Sequence, residues 1–202
     1  MKEKMKISVL VSGGGTNLQS LIDNVENGSL PEAEIVHVIS SRADAFALER
    51  ASKAGIKGVV VSKNDFPDSD MLAQALIKTL EEANTDLIVL AGYMSILHPD
   101  VIKKYPKRII NVHPSLLPKY GGKGFYGMRV HKAVIEAGEK TSGATVHFVD
   151  EGIDTGEMIL QREVPVQAGD DENTLAARVL EMEHKILPEA IRSICAGVTD
   201  TE

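Results

Sequence analysis

Short β-branched runs alternate along this chain with segments whose apolar positions recur every three or four residues. Lys6–Val11 (KISVLV) is the first run, and in Thr16–Val25 the residues Leu18, Leu21, Ile22 and Val25 fall at helical spacing. Asn27-Gly28 closes that helix, because both residue types tolerate a left-handed backbone. The same grammar predicts a strand over Ile35–Ser40, a helix over Ala43–Ala54 closed by Gly55, and a short strand over Val59–Val61. A helix capped by Asp68 or Ser69 then runs to Ala83, followed by strands Leu87–Ala91 and Ile109–Val112. His98 stands just before Pro99 at a further helix start.

After Val112 the pattern changes. A loop rich in Pro, Lys and Gly occupies Pro114–Gly127, and a helix is predicted over Met128–Ala137. Two longer strand-like segments, Gly143–Val149 and Met158–Pro165, are joined by a short acidic turn. Asp170 or Asp171 opens a last helix that reaches about Ile194. Alternation of strands and helices implies an open, mostly parallel, Rossmann-like α/β sheet with helices on both faces, ending in antiparallel strands. No repeat or linker divides the chain, so residues 1–202 are expected to form a single domain. Ligands of such sheets bind outside the carboxyl ends of the strands. That rule selects Ser12–Asn17, Ala91–Leu97 and Asn111–Pro118.

Composition narrows the field. Of 202 residues, 43% are apolar and 25% charged, as in an ordinary globular chain, and the frayed-looking Asp200-Thr201-Glu202 is the exception. The net charge of −7 and the lack of a Lys/Arg block argue against a nucleic-acid surface. Cys195 is the only cysteine, which excludes an intrachain disulfide and a four-cysteine zinc site. Its neighbourhood offers no activating partner, so it reads as buried packing. No apolar run reaches the roughly 20 residues that span a bilayer, and no secretory signal is evident; the cytoplasm is the expected location. No His or carboxylate pair has metal-ligand spacing, and His37, inside a predicted strand, has no ligand set around it.

The three loops carry chemistry. In Ser12-Gly13-Gly14-Gly15-Thr16-Asn17, glycines let the backbone approach a ligand, and the N–H groups of a helix start favour an anion. The loop lacks the third glycine of a dinucleotide fingerprint and the Lys of a P-loop, so a phosphomonoester fits it best; the plainer account is a tight turn with Thr16 as helix cap. Asn111 and His113 share one side of an extended strand, and Pro114 holds His113 extended. A neutral imidazole there can shuttle a proton while the carboxamide steadies an oxyanion; the alternative is a core-edge histidine satisfied by backbone partners. In the acidic turn, Asp150 and Glu151 suit a solvated hairpin, whereas Asp154 is placed to fold inward and meet a histidine. His147, in the alternating strand Thr145–Val149, faces the same cleft or is merely structural.

Taken together, these segments resemble the folate-dependent phosphoribosylglycinamide formyltransferases. The resemblance lies in Val11-Ser12-Gly13-Gly14-Gly15-Thr16-Asn17-Leu18-Gln19, Leu90-Ala91-Gly92-Tyr93-Met94, and Ile110-Asn111-Val112-His113-Pro114-Ser115-Leu116-Leu117-Pro118. It continues in Gly143–Asp150 and Asp154-Thr155-Gly156, and runs from Ile7 to about Pro188. It implies the formyltransferase fold, 10-formyltetrahydrofolate as co-substrate, no metal, and a small-molecule acceptor, glycinamide ribonucleotide, on a monomer or homodimer. By the same resemblance Asn111, His113 and Asp154 are the catalytic set. Gly14, Gly15, Thr16 and Asn17 hold the substrate phosphate, and Glu183 contacts its ribose. Met94, Ser95, Ile96 and Leu97, with Asn111 and Asp150, form the folate site.

Two positions depart from the family pattern. Ser95 and Ser69 stand where many relatives carry arginine, and Arg129, Lys119 and Lys123 are candidates to replace the charge. Gly121–Gly127 is either a mobile lid or a glycine-rich surface turn. Three rivals are a formyltetrahydrofolate hydrolase, a methionyl-tRNA formyltransferase and a non-catalytic nucleotide-binding regulator. The phosphate loop opposes the first, the lack of a basic face the second, and the intact Asn111, His113 and Asp154 set the third.

Overall fold

A computed structural model describes residues 3–197. The expected fraying at Asp200–Glu202 lies outside the described residues. The chain divides into two compact units, with the break between Ile110 and Asn111. Seven strands among the described residues run in the order β3-β2-β1-β4-β5-β6-β7 in one sheet, mostly parallel with an antiparallel end.

The first unit holds β1 (Met5–Val11), α1 (Thr16–Glu26), β2 (Ala33–Ser40), α2 (Phe46–Lys53), β3 (Lys57–Val60), α3 (Ser69–Glu82), β4 (Leu87–Leu90) and α4 (Pro99–Lys104). β1 pairs in parallel with β2 and β4, and β2 with β3. Ile7, Val9 and Leu10 on β1 and Ile88 and Val89 on β4 have no exposed surface, so both faces of these central strands are covered. Ser8, equally buried, meets the hydroxyl of Thr85 at 2.7 Å. β3, at the edge, is largely exposed.

α2 starts three residues later than its apolar pattern predicts. Ser40 Oγ donates to the Arg42 carbonyl (2.7 Å) and accepts from the Arg42 N–H, while Arg42 clamps Asp44 through two hydrogen bonds. These local bonds offer the backbone an alternative to the first helical turn. At α3 the choice between caps resolves to Asp68, whose carboxylate accepts from the N–H of Met71.

β5 (Ile109–His113) runs across the break. The second unit continues with α5 (Met128–Glu136), β6 (Thr141–Phe148), β7 (Met158–Pro165) and α6 (Glu172–Ala196). β6 and β7 pair antiparallel, with a register shift between Val146 and His147. α6 opens with a capping box in which Asp171 accepts from the N–H groups of Asn173 and Thr174. It continues through Pro188 although an interior proline costs about 3 kcal/mol. Leu175, Val179, Ile186, Leu187 and Ile191 are buried along it, and at about 1.5–3 kcal/mol per side chain their burial outweighs that cost. Cys195 is half-buried near its end, not fully packed as the sequence suggested. No helix among the described residues is long and apolar enough to cross a membrane.

Burial on both faces of β4 predicts a contrast between strands. Ile88→Ala should cost about 2–5 kcal/mol in denaturant unfolding, whereas Val60→Ala, at the exposed edge, should stay within about 0.5 kcal/mol.

Candidate active site

In the first unit the glycine loop lies between β1 and α1. Gly15 is the N-cap, with φ +70°, and no side chain caps the helix. Thr16 is therefore the first helical residue and not the cap. A Cβ on Gly15 would stand 2.6 Å from Ala47 Cβ, so only glycine lets this turn sit against α2. Gly14 has nothing within 4 Å of an added Cβ, and it is exposed, as is Thr16. Asn17 is buried. Three carbonyls of the loop are bonded on its inner side: Gly13 accepts from Ala47 N–H (3.0 Å), Gly14 from Arg50 Nε (2.8 Å) and Gly15 from Gln19 N–H (2.9 Å).

The loop after β4 is fastened to the one after β1. Met94 N–H donates to Ser12 Oγ (2.9 Å), which also pairs with Ser41 Oγ (2.6 Å). Met94 and Ile96 are left 58% and 81% exposed, an apolar pair fit to meet a flat ring, while Leu97 is buried beneath. Ser95 bonds to Tyr93, whose phenol is pushed up by its burial.

The second unit assembles the titratable residues. Asn111 and His113 lie two apart on β5, and His147 lies on β6 beside the register shift that re-aims side chains. Asp154 comes from the acidic turn, where it takes the left-handed conformation, φ +57°. Its carboxylate lies 3.5 Å from His113 Nδ1 and 3.6 Å from His147 Nε2, and accepts from Gly122 N–H at 3.0 Å. The two imidazole contacts are ion-pair distances, longer than a hydrogen bond. Asn111 Nδ2 lies 3.2 Å from His147 Nε2, and His147 Nδ1 lies 2.8 Å from the carbonyl of Phe148. A carbonyl only accepts, so the neutral His147 carries its proton on Nδ1 and takes a hydrogen bond from Asn111. One N–H of the Asn111 amide is thereby spent and the other remains.

By the same reasoning His113 donates Nε2–H to the carbonyl of Tyr120 (2.8 Å) and turns the bare Nδ1 toward Asp154. Burial lowers the His113 pKa; Asp154 and the Tyr120 carbonyl pull it upward, and His147 adds to the lowering, for a net shift downward. Burial raises the Asp154 carboxyl, yet His147, His113 and Gly122 N–H together bring it below its ordinary value. At neutral pH the pair thus rests as a carboxylate beside a largely neutral imidazole.

The remaining predicted residues divide. Asp150 is exposed and holds its own turn, accepting from Gly152 N–H (3.0 Å) and the Thr155 hydroxyl (2.7 Å). Glu183 is buried on α6. Of the candidate cations, Lys119 is engaged with Glu139 at 3.1 Å and Arg129 lies over the Tyr126 ring. The Gly121–Gly127 segment is tied at its start, because Gly122 bonds Asp154 and Tyr120 stacks edge-on with Phe125. Among the described residues no group of three or more His, Cys, Asp or Glu is arranged to hold a metal ion.

Sequence reasoning missed His131. It is buried on α5 between Val130 and Val134, and that apolar flanking was the available signal. Burial, with a contribution from the charge of His113, lowers its pKa to about 4. The role of Tyr120 was also illegible, since a backbone carbonyl carries no sequence signature.

Gly14→Val should fold normally, because its side chain enters open space, yet weaken binding of an anion at the loop. Unchanged anion binding in that variant would place the ligand elsewhere. His131 predicts an acid-side loss of stability. Between pH 6.5 and about 4 the unfolded imidazole is protonated and the folded one is not. Stability therefore falls as the pH drops through that window, by roughly 2 kcal/mol between pH 6.5 and 5. His131→Leu should flatten this part of the pH profile measured by urea unfolding.

The sequence pattern of the formyl transferase family matches residues 5–191. Phosphoribosylglycinamide formyltransferase of Haemophilus influenzae is 42% identical over 192 residues, 95% of this chain and 88% of that protein. The trifunctional purine biosynthetic protein adenosine-3 of Drosophila pseudoobscura pseudoobscura is 45% identical over 195 residues, 96% of this chain, which spans 14% of that protein's length. The crystal structure of glycinamide ribonucleotide transformylase 1 from Symbiobacterium toebii superposes with a TM-score of 0.91 at 40% identity, covering 98% of this chain and 90% of that one. The chain belongs to the formyl transferase family, among the phosphoribosylglycinamide formyltransferases.

Proposed function

We propose that this chain transfers the formyl group of 10-formyltetrahydrofolate to the amine of glycinamide ribonucleotide, a step of purine biosynthesis. The observation that carries the reading is the joined set of Asn111, His113, His147 and Asp154, with one amide N–H still available. The acceptor's chemistry is supported by the glycine loop, whose inner carbonyls are satisfied and whose outer side is open.

The amine attacks the formyl carbon, forming the new C–N bond and a tetrahedral intermediate whose oxygen carries the negative charge. The second N–H of Asn111 stabilises that oxyanion, the kind of contact worth about 10²–10³ in rate. His113 rests largely neutral because of its burial, but an adjacent oxyanion favours the imidazolium, so Nδ1, bare at rest, takes up a proton from solvent as the charge develops and returns it when the intermediate collapses. Its Nε2–H stays on the Tyr120 carbonyl, and the positive charge of the ring offsets that of the oxygen. Asp154 holds the protonated ring and relays the amine's proton, through water, toward the folate nitrogen. The bond from carbon to that nitrogen then breaks, releasing tetrahydrofolate and formylglycinamide ribonucleotide.

Gly14, Gly15, Thr16 and Asn17 hold the phosphate, Glu183 the ribose, and Met94, Ser95, Ile96, Leu97 and Asp150 the folate ring. The folate is a co-substrate, and the chain works as one domain in the cytoplasm, as a monomer or homodimer, without nucleic acid or membrane.

His113→Ala should lower turnover about 10²–10⁴-fold and Asn111→Ala about 10²–10³-fold. A spectrophotometric assay with 10-formyltetrahydrofolate, with and without the ribonucleotide, tests the whole reading. Folate turnover only with the ribonucleotide, giving formylated product by mass, is expected. Formate release without it would replace the transferase with a hydrolase.

A further inference from the structure

We propose that Arg50 is a positioning residue for the glycine loop, shaping and charging it so that the chain selects a phosphorylated acceptor over the same acceptor without phosphate. The inference rests on the assignment of that loop to the substrate phosphate and goes beyond it to a side chain on a different helix.

The geometry begins with the peptide plane. In a trans peptide the carbonyl of one residue and the N–H of the next point in opposite directions. Bonding the carbonyls of Gly13, Gly14 and Gly15 inward therefore turns the N–H groups of Gly14, Gly15 and Thr16 outward. Gly13 is held by a backbone N–H of α2 and Gly15 by a backbone N–H of α1; the middle carbonyl, Gly14, is held by a side chain, Arg50 Nε at 2.8 Å. The orientation of the Gly15 N–H thus depends on Arg50.

Arg50 is itself fixed. Its Nη1 donates to Gln19 Oε1 (3.0 Å), and Gln19 Nε2 donates to Asp23 (2.8 Å), which keeps the amide oxygen turned toward the guanidinium. The guanidinium lies 5.0 Å over the ring of Phe46, and the residue is half-buried. Two of its five N–H donors are used in these bonds and three remain. Arg42, by contrast, is neutralised by Asp44 at 2.7 Å. A glycine loop without a lysine gains its positive charge from Arg50. Lysine is a poor substitute, because an ammonium lacks the planar fork that serves Gly14 and Gln19 at once.

The test compares kcat/KM for glycinamide ribonucleotide and for glycinamide riboside in the parent chain, Arg50→Ala, Arg50→Gln and Arg50→Lys, with Gly14→Val as the loop control. Arg50→Ala should lower the ribonucleotide-to-riboside ratio about 10–100-fold, the loss of one charge-assisted contact, mainly through KM for the ribonucleotide. Arg50→Lys should recover only part of it. Arg50→Gln, which keeps an N–H for Gly14 without the charge, serves if the alanine variant does not fold, and should lower the ratio as well. Equal losses on both acceptors, or an unchanged ratio in Arg50→Ala and Arg50→Gln while Gly14→Val abolishes it, would overturn the role of Arg50. An unchanged ratio in Gly14→Val would instead overturn the phosphate assignment of the loop and the proposal with it.

Discussion

The half-buried carboxylate of Asp154 is the interaction on which the polar cluster of the second unit depends. Taking a carboxylate out of water costs several kcal/mol unless donors and cations replace the solvent. Here the Gly122 N–H donates to it at 3.0 Å, and His113, facing it at 3.5 Å, becomes its cation when protonated, while His147 lies at 3.6 Å on the other oxygen. The carboxylate thus brings together three stretches of chain: the end of β5, the register shift in β6 and the glycine segment after Tyr120. Asp154 also carries a left-handed backbone, which costs an L-residue about 1–2 kcal/mol. Aspartate tolerates it better than most, and Asp150 steadies the turn through Gly152 and Thr155.

The first unit solves a different problem with neutral groups. A backbone loop has as many carbonyls as N–H groups, and an anion is repelled by the former. Tying the carbonyls of Gly13, Gly14 and Gly15 to the two helices separates the two kinds of dipole. That solution uses groups that do not titrate, whereas the cluster around Asp154 joins a carboxylate to two imidazoles. On the proposed reading, substrate anchoring and proton movement fall to chemically distinct elements.

Histidine shows how far environment overrides residue type. His98 caps α4, accepting from Asp100 N–H at 3.2 Å, and meets Asp70 at 3.1 Å. His37, buried in β2 with both ring nitrogens unpartnered, is lowered by burial and by Lys57. His131 is buried too, and its pKa is lowered to about 4 by that burial and by the charge of His113. His113 and His147 both combine burial with a facing carboxylate and a bound carbonyl, and for His113 the carboxylate and the carbonyl oppose the lowering that burial imposes.

The sequence by itself determined the alternation of strands and helices, the three loops at strand ends, and the pairing of Asn111 with His113. These are local matters, set by side-chain period, turn residues and the proline after His113. It also supplied Asp154 as an inward carboxylate, because an aspartate between Ile153 and Thr155-Gly156 sits in a turn able to reverse direction. Tertiary structure decided the rest. The engagement of Arg50 with Gly14, 36 residues away, is invisible to any local pattern. The same holds for Tyr120, whose contribution to His113 is a carbonyl that every residue possesses. The late start of α2 and the low proton affinity of His131 follow from hydrogen bonds and burial. Periodicity names the face a side chain takes, but only packing fixes which groups lose their water, and desolvation is what sets charge.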